Sequence, residues 1–117
     1  MIGGVHTIFY ADNPEAARTF FRDVLGFESV DAGDGWLIFA LPPGELAVHP
    51  DSEGGRTEVF LMCKDLEQTR RDLHGKGVEF ARDVEERRYG SMAWISVPGF
   101  GELGLYQPRH PHPIALE

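Results

Sequence analysis

The chain carries one pattern of residues twice, 52 positions apart. An apolar run from Val5 to Tyr10 leads into Asn13-Pro14-Glu15, and a second run from Thr57 to Met62 leads into Asp65-Leu66-Glu67. Each run favours a strand, and each polar group after it favours the start of a helix. The repeat therefore predicts two similar half-domains with a ligand-binding cleft between them.

The end of each half repeats as well, since residues 44–48 (GELAV) return as residues 101–105 (GELGL). Apolar periodicity and turn residues between these landmarks predict the order strand, helix, strand, strand, strand in both halves. In the first half we expect strands at 5–11, 27–31, 36–41 and 45–49, and a helix that is capped by Asp12 or Asn13 and ends at Gly26. In the second half we expect strands at 57–63, 78–81, 91–97 and 102–106, a helix from Asp65 to Gly75, and a charged turn at 82–89.

We interpret residues 1–117 as one domain. Its first module covers about residues 4–50, its second module about residues 56–108, and residues 109–117 form a loose tail. One βαβββ unit leaves a sheet face uncovered, so two units must pair, either within the chain or across a dimer.

The charge and composition of the chain disfavour some classes of binding partner. The net charge of −8 and the pI near 5.0 disfavour nucleic acid and anionic membranes as partners. No apolar run approaches the roughly 20 residues of a membrane helix, and the N-terminus lacks the pattern of a signal peptide. Cys63 is the single cysteine, which fits a reducing compartment, so we expect a cytoplasmic protein.

Three segments resemble one known family. The opening HTI at residues 6–8, the helix start NPEAA at 13–17 and the segment FFRDVLGFE at 20–28 are similar to the vicinal oxygen chelate superfamily. That superfamily contains glyoxalase I, bleomycin- and fosfomycin-resistance proteins, extradiol dioxygenases and methylmalonyl-CoA epimerase. The resemblance implies an α+β fold in which two βαβββ modules form a curled, cup-like mixed sheet with helices on the outside. It also implies a small-molecule ligand and a homodimer.

The resemblance places candidate metal ligands on the first and last strand of each module. The matching positions here are His6, Glu58, Ala47 and Gly104, and only the first two have side chains that can coordinate a metal. His49 lies two residues after Ala47, and a shifted register would make it a third ligand. One hypothesis is therefore a lyase or dioxygenase in which Fe, Zn, Ni or Mn chelates two vicinal oxygens of the substrate, with His6 and Glu58 catalytic.

The alternative hypothesis is a metal-free protein that sequesters its ligand, as bleomycin-resistance proteins do. The absence of ligand side chains at Ala47 and Gly104 favours it, and His6 and Glu58 would then form a hydrogen-bonded pair. In both hypotheses aromatic side chains and one histidine would line the site by strand-face matching: Tyr10, Trp36, Phe60, Trp94, Tyr106 and His49.

Overall fold

The computed structural model describes residues 6–47, 49, 52–55, 57–111 and 113–114. In this part of the chain the helical segments are α1 (Pro14–Thr19), a π-helical turn (Phe20–Val24) and α2 (Leu66–Gly75). The strands are β1 (Ser29–Asp31), β2 (Leu37–Phe39), β3 (Phe60–Met62), β4 (Phe80–Arg87), β5 (Gly90–Val97) and β6 (Gly101–Pro108).

The strands form two sheets, and the α+β fold class predicted from the sequence is confirmed. Strands β1 and β2 pair antiparallel as a two-stranded sheet, and the other sheet has the order β3-β6-β5-β4. In the larger sheet β3 runs parallel to β6, while the other neighbours are antiparallel. The second module thus shows the complete βαβββ order.

The first helix begins and ends at the residues that its sequence predicts. The Asn13 side chain accepts a hydrogen bond from the Ala16 backbone N–H at 3.2 Å, and Pro14 occupies the first turn. The helix then widens into the π-helical turn, in which the Leu25 N–H bonds to the Phe20 carbonyl at 3.2 Å. Gly26 ends it at φ 73°, a conformation that glycine adopts without strain.

Helix α2 has the predicted cap and the predicted apolar anchors. The Asp65 carboxylate accepts a hydrogen bond from the Gln68 N–H at 3.1 Å, and Leu66 and Leu73 are both buried. Within the described residues, the helices are too short or too polar to cross a membrane.

The core lies between the helices and one face of the four-stranded sheet. Strand β5 has a partner on each side, which explains why seven of its eight residues are buried. Its residues Ala93, Ile95 and Val97 join Leu103 and Leu105 of β6 against the helical residues Ala17, Phe20, Leu66 and Leu73. The opposite face of this sheet, which we call the open face, is left to carry a site.

Contacts between the end of the first strand-like segment and the β5–β6 turn join the modules. The Phe9 ring stacks on the Phe100 ring with centroids 4.7 Å apart, and the Asn13 N–H bonds to the Gly99 carbonyl at 3.1 Å. Gly99 has φ +76°, and a Cβ there would overlap Asn13. The close approach therefore requires glycine at this position.

Two strands predicted in the first module differ from the structure. The described residues of 5–11 and 45–49 are not part of either sheet; Val5 and Val48 lie outside the described residues. Phe9 and Ala11 instead pack on the core through their side chains. Pro42 and Pro43 have no N–H to donate, so the chain leading to Glu45 is poorly suited to a ladder.

The charged turn predicted at 82–89 is also wrong, because β4 continues to Arg87. Its charged side chains fit an edge strand, where they reduce the risk of pairing with another sheet. Irregular register between Phe80 and Glu85 breaks the alternation that would have revealed a strand in the sequence.

Candidate functional site

The open face gathers side chains from all four strands of the larger sheet. Residues at directly paired positions of neighbouring strands point to the same face. The pairing places two lines of residues across the open face: Phe60, Gly104, Trp94 and Arg82, and beside them Met62, Tyr106, Met92 and Glu85.

Four rings form a continuous aromatic row on this face: Trp94, Phe60, Tyr106 and Tyr89. Successive ring centroids are 6.2, 6.1 and 6.3 Å apart, within the range of favourable aromatic pairs. Trp94 is 9% exposed and Tyr89 is 41% exposed. The row therefore runs from a buried end to a solvent-facing end.

Gly104 makes the row possible at its middle. The Phe60 ring lies directly over Gly104, and a Cβ at this position would overlap three atoms of that ring. The resemblance noted in the sequence implies a metal ligand at position 104, where this chain has a glycine. Here that space is filled by an aromatic ring.

Tyr106 presents a polar group within the row. Its hydroxyl donates a hydrogen bond to the Tyr89 carbonyl at 2.9 Å, which leaves the oxygen free to accept one. The pKa of Tyr106 is raised, first by burial and then by the negative charge of Glu45. The hydroxyl is therefore neutral at physiological pH and can serve as a polar contact for a ligand.

Arg82 covers the buried end of the row. Its guanidinium carbon lies 3.7 Å from the centroid of the Trp94 ring, and its Nη2 lies 3.2 Å from Glu102. Both charged side chains are about half exposed, at 48% and 49%. An exposed ion pair of this kind is weak, so the guanidinium can move.

Two of the aromatic residues predicted for the site lie apart from the row. Tyr10 is 86% exposed and Trp36 is 66% exposed. The Trp36 ring contacts the Arg18 guanidinium, 4.9 Å from its centroid. Phe60, Trp94 and Tyr106 share a face as expected. The rings of Tyr10 and Trp36 do not contact these three rings.

Histidines lie near the solvent-facing end of the row. The His49 ring is 6.1 Å from the Tyr89 ring, and the His110 ring is 5.8 Å from the Tyr106 ring. His110 Nε2 also lies 3.7 Å from Glu45 Oε1. His49 is thus brought to the rim of the row, in an exposed position.

Arg109 fixes the start of the C-terminal segment beside this rim. It donates to Ser91 Oγ at 2.7 Å and to Glu86 at 3.2 Å, and its N–H bonds to the Tyr89 carbonyl at 2.8 Å. The pKa of Glu86 is lowered, first by the hydrogen bond from Ser91 and then by Arg109.

The residues predicted to bind a metal fit that role poorly. His6, Glu58 and His49 are all exposed, and Ala47 and Gly104 offer no donor atom. Nowhere in the described residues do three His, Cys, Asp or Glu side chains form a group that could hold a metal ion. A metal at His6, Glu58 and His49 stays a prediction.

Cys63 directly follows β3, but its surroundings do not favour a reactive thiol. It packs on the core, and its thiol lies 3.7 Å from the Tyr106 carbonyl. Burial raises the pKa of this thiol. A raised pKa keeps sulfur protonated and argues against a nucleophile.

Two surface depressions lie away from the open face. One, of about 520 Å³, is bordered by Arg70, His74 and Phe80; the other, of about 810 Å³, lies between α1 and the β1–β2 sheet. Both are wide open to solvent. The aromatic row is the better candidate because several side chains converge there.

Sequence reasoning missed Arg82, Tyr89 and the role of Gly104. The first two fell in the segment interpreted as a charged turn, so neither was assigned to a face. Gly104 was interpreted only as a missing ligand. The available signal was the pairing of an aromatic residue with a strand glycine, which often marks a close approach of two groups.

A side chain at position 104 should disturb the aromatic row. We expect Gly104→Ala to lower the free energy of unfolding by about 1 to 3 kcal/mol, since the new methyl group must displace the Phe60 ring. Urea unfolding measures this loss, with Gly44→Ala as the control because a Cβ at Gly44 meets no atom within 4 Å.

Phe60 provides a second test of the same contact. In the Phe60→Ala background, Gly104→Ala should be close to neutral, because the overlapping ring is gone. Equal losses in both backgrounds would show that Phe60 does not lie over Gly104.

Comparison with known proteins agrees with this architecture. Among solved structures, a member of the glyoxalase/bleomycin resistance protein/dioxygenase superfamily from Sphaerobacter thermophilus is 24% identical, with a TM-score of 0.62 over 90% of this chain and 97% of that one. The antibiotic binding protein TnmS3 from Streptomyces sp. CB03234 is 22% identical, with a TM-score of 0.62 over 92% and 99% of the two chains. Lactoylglutathione lyase from Agrobacterium tumefaciens is 16% identical, with a TM-score of 0.62 over 86% and 89%.

These structural similarities establish a shared fold. No curated protein sequence matches significantly. The family model described as the Glyoxalase/Bleomycin resistance protein/Dioxygenase superfamily, however, matches residues 4–100, which is most of the chain. The chain therefore belongs to the glyoxalase/bleomycin resistance protein/dioxygenase superfamily.

Proposed function

We propose that this protein binds a small, flat, largely apolar molecule on the aromatic row without using a metal. The observation that carries the proposal is the Phe60 ring lying over Gly104, next to Trp94 and Tyr106. The Phe60 ring occupies the space that a metal-ligating side chain at position 104 would fill. Flat ligands bind such surfaces by stacking and by removing apolar area from water.

The polar groups around the row would orient the ligand. The Tyr106 oxygen can accept a hydrogen bond, and Arg82 offers donors at the opposite end. A site of apolar lining with a few polar contacts is typical of small-molecule pockets. The family includes bleomycin-resistance proteins, and a structural relative is described as an antibiotic binding protein, so ligand sequestration has precedent in this fold.

A metalloenzyme of the lyase or dioxygenase type is the second hypothesis. It would hold Fe, Zn, Ni or Mn at His6 and Glu58, with His49 as a third ligand, and the metal would act as a Lewis acid on two vicinal oxygens. Its support is that the chain belongs to a family that includes such enzymes. The lack of donor side chains at Ala47 and Gly104 favours the metal-free proposal instead.

Calorimetric titration distinguishes the two hypotheses. Protein purified without a histidine tag and treated with EDTA should bind naphthalene-2-carboxylate, used as a flat probe. Phe60→Ala should weaken this binding by about five- to tenfold, since an aromatic contact contributes on the order of 1 kcal/mol. Trp36→Ala is the control and should change the affinity little, because that ring contacts Arg18.

The result that contradicts the proposal is equally clear. If EDTA-treated protein gives no binding heat, and binding appears only after Zn(II), Fe(II), Ni(II) or Mn(II) is added, the metal hypothesis is supported. Loss of that binding in Glu58→Gln would then assign Glu58 to the metal.

We also propose that the protein forms a homodimer through the β1–β2 sheet. Val30 and Ile38 pair across these strands and are 67% and 47% exposed, and Leu41 nearby is 53% exposed. A two-stranded sheet is marginally stable alone, and grouped exposed apolar residues often mark an interface. A partner chain would cover these residues. The site would then be completed by modules that pair either within one chain or between the two chains of the dimer.

Sedimentation equilibrium tests the homodimer. We expect twice the chain mass of 13.1 kDa for the native protein and a shift toward one chain mass for Ile38→Glu, since a charge buried at an interface is strongly unfavourable. Ile38→Val is the control and should remain dimeric. A native protein that sediments as a single chain at micromolar concentration would contradict the proposal.

A further inference from the structure

Arg82 differs from the other arginine on the open face. Arg87 pairs with Glu85 at 2.6 Å and donates to the Glu86 carbonyl at 3.2 Å. The interactions of Arg82 with described residues are the indole face of Trp94 and a single ion pair of 3.2 Å with Glu102. A guanidinium has five N–H donors, so most of the hydrogen-bonding capacity of Arg82 is unused.

The pairing of β4 with β5 defines where the unused N–H donors of Arg82 lie. Arg82 is paired with Trp94 across β4 and β5, and its guanidinium carbon lies over the Trp94 ring at the end of the aromatic row. Its side chain is 48% exposed, so the unused donors are accessible from solvent. A planar guanidinium matches the two oxygens of a carboxylate, which it can bind with two parallel hydrogen bonds.

We infer that Arg82 is the specificity-determining residue of the aromatic row and selects flat aromatic ligands that carry a carboxylate or a similar planar anion. The ring of such a ligand lies along Phe60 and Tyr106, and its anionic group pairs with Arg82 beside Trp94. This inference rests on the proposed binding function and adds the chemical class of the ligand.

The surrounding charges make this selection specific to one location. Glu102 and Glu85 lie on the same face, and the chain as a whole carries a net charge of −8. An anionic ligand is therefore repelled by most of the surface, and at one end of the row Arg82 offers it a guanidinium with unused N–H donors. The ligand carboxylate competes with Glu102 for the guanidinium, and the half-exposed ion pair with Glu102 is one that a better-placed carboxylate can replace.

A matched pair of probes tests the inference. Naphthalene-2-carboxylate and naphthalene-2-carboxamide have nearly the same shape and differ in charge. In calorimetric titrations of the native protein we expect the carboxylate to bind about five- to tenfold more tightly than the carboxamide. In Arg82→Met, which keeps a long side chain over Trp94, the carboxylate should lose more affinity than the carboxamide, so that the two affinities become equal within about twofold.

Arg70→Met is the matched control. Arg70 also lies over an aromatic ring, 5.3 Å from the centroid of Phe80, and pairs with Glu67 at 2.9 Å, but it belongs to α2 on the other side of the sheet. Its loss should leave the preference for the carboxylate intact. This separates a local role of Arg82 from a general effect of removing one positive charge.

The outcomes separate the inference from the proposed function. Equal binding of the two probes by the native protein, or an unchanged preference in Arg82→Met, overturns the role of Arg82 and leaves the binding function standing. Tighter carboxylate binding in Arg82→Met also overturns it, since Arg82 would then obstruct the site. Absence of binding by both probes overturns the proposed function and this inference together.

Discussion

The contact between Phe60 and Gly104 is the constraint on which the open face depends. It exists because β3 runs parallel to β6 and places Phe60 directly beside Gly104. The absent side chain at Gly104 lets the ring lie against the sheet, where it reaches both Trp94 and Tyr106. A larger residue at position 104 would separate these rings and divide the row.

The two faces of the four-stranded sheet differ in composition and in burial. One face is largely apolar where it meets the helices, and residues such as Ile95 and Leu103 are almost completely buried there. The other face has exposed edges, ion pairs and aromatic rings whose burial falls from Trp94 to Tyr89. Exposed positions on the open face, such as Arg82, can therefore vary with the ligand at a smaller cost to folding than buried residues on the helical face.

The repeat in the sequence predicted much of this fold because strong local signals agree with the tertiary packing. The Asn13 and Asp65 caps, the stop at Gly26 and the strand at 91–97 all depend on short-range physics and appear where expected. The first-module strands around His6 and Ala47 were predicted from local apolar patterns. Strand formation needs a pairing partner, which a local pattern cannot supply.

The candidate site was predictable in part for the same reason. Face matching placed Phe60, Trp94 and Tyr106 together because strand alternation is regular in β3, β5 and β6. Arg82 was missed because irregular register in β4 hides the alternation. Tyr10 and Trp36 were placed by strand-face matching, but neither residue lies within a strand of the structure.

Nuclear magnetic resonance of Gly104 tests the central claim most directly. Its Hα protons lie beneath the Phe60 ring, so ring currents should shift at least one of them well upfield of an ordinary strand glycine. The shift should disappear in Phe60→Leu, while the Hα resonances of Gly44 stay in place. Gly104 resonances at ordinary strand positions, unaffected by Phe60→Leu, would show that the aromatic row does not form as described.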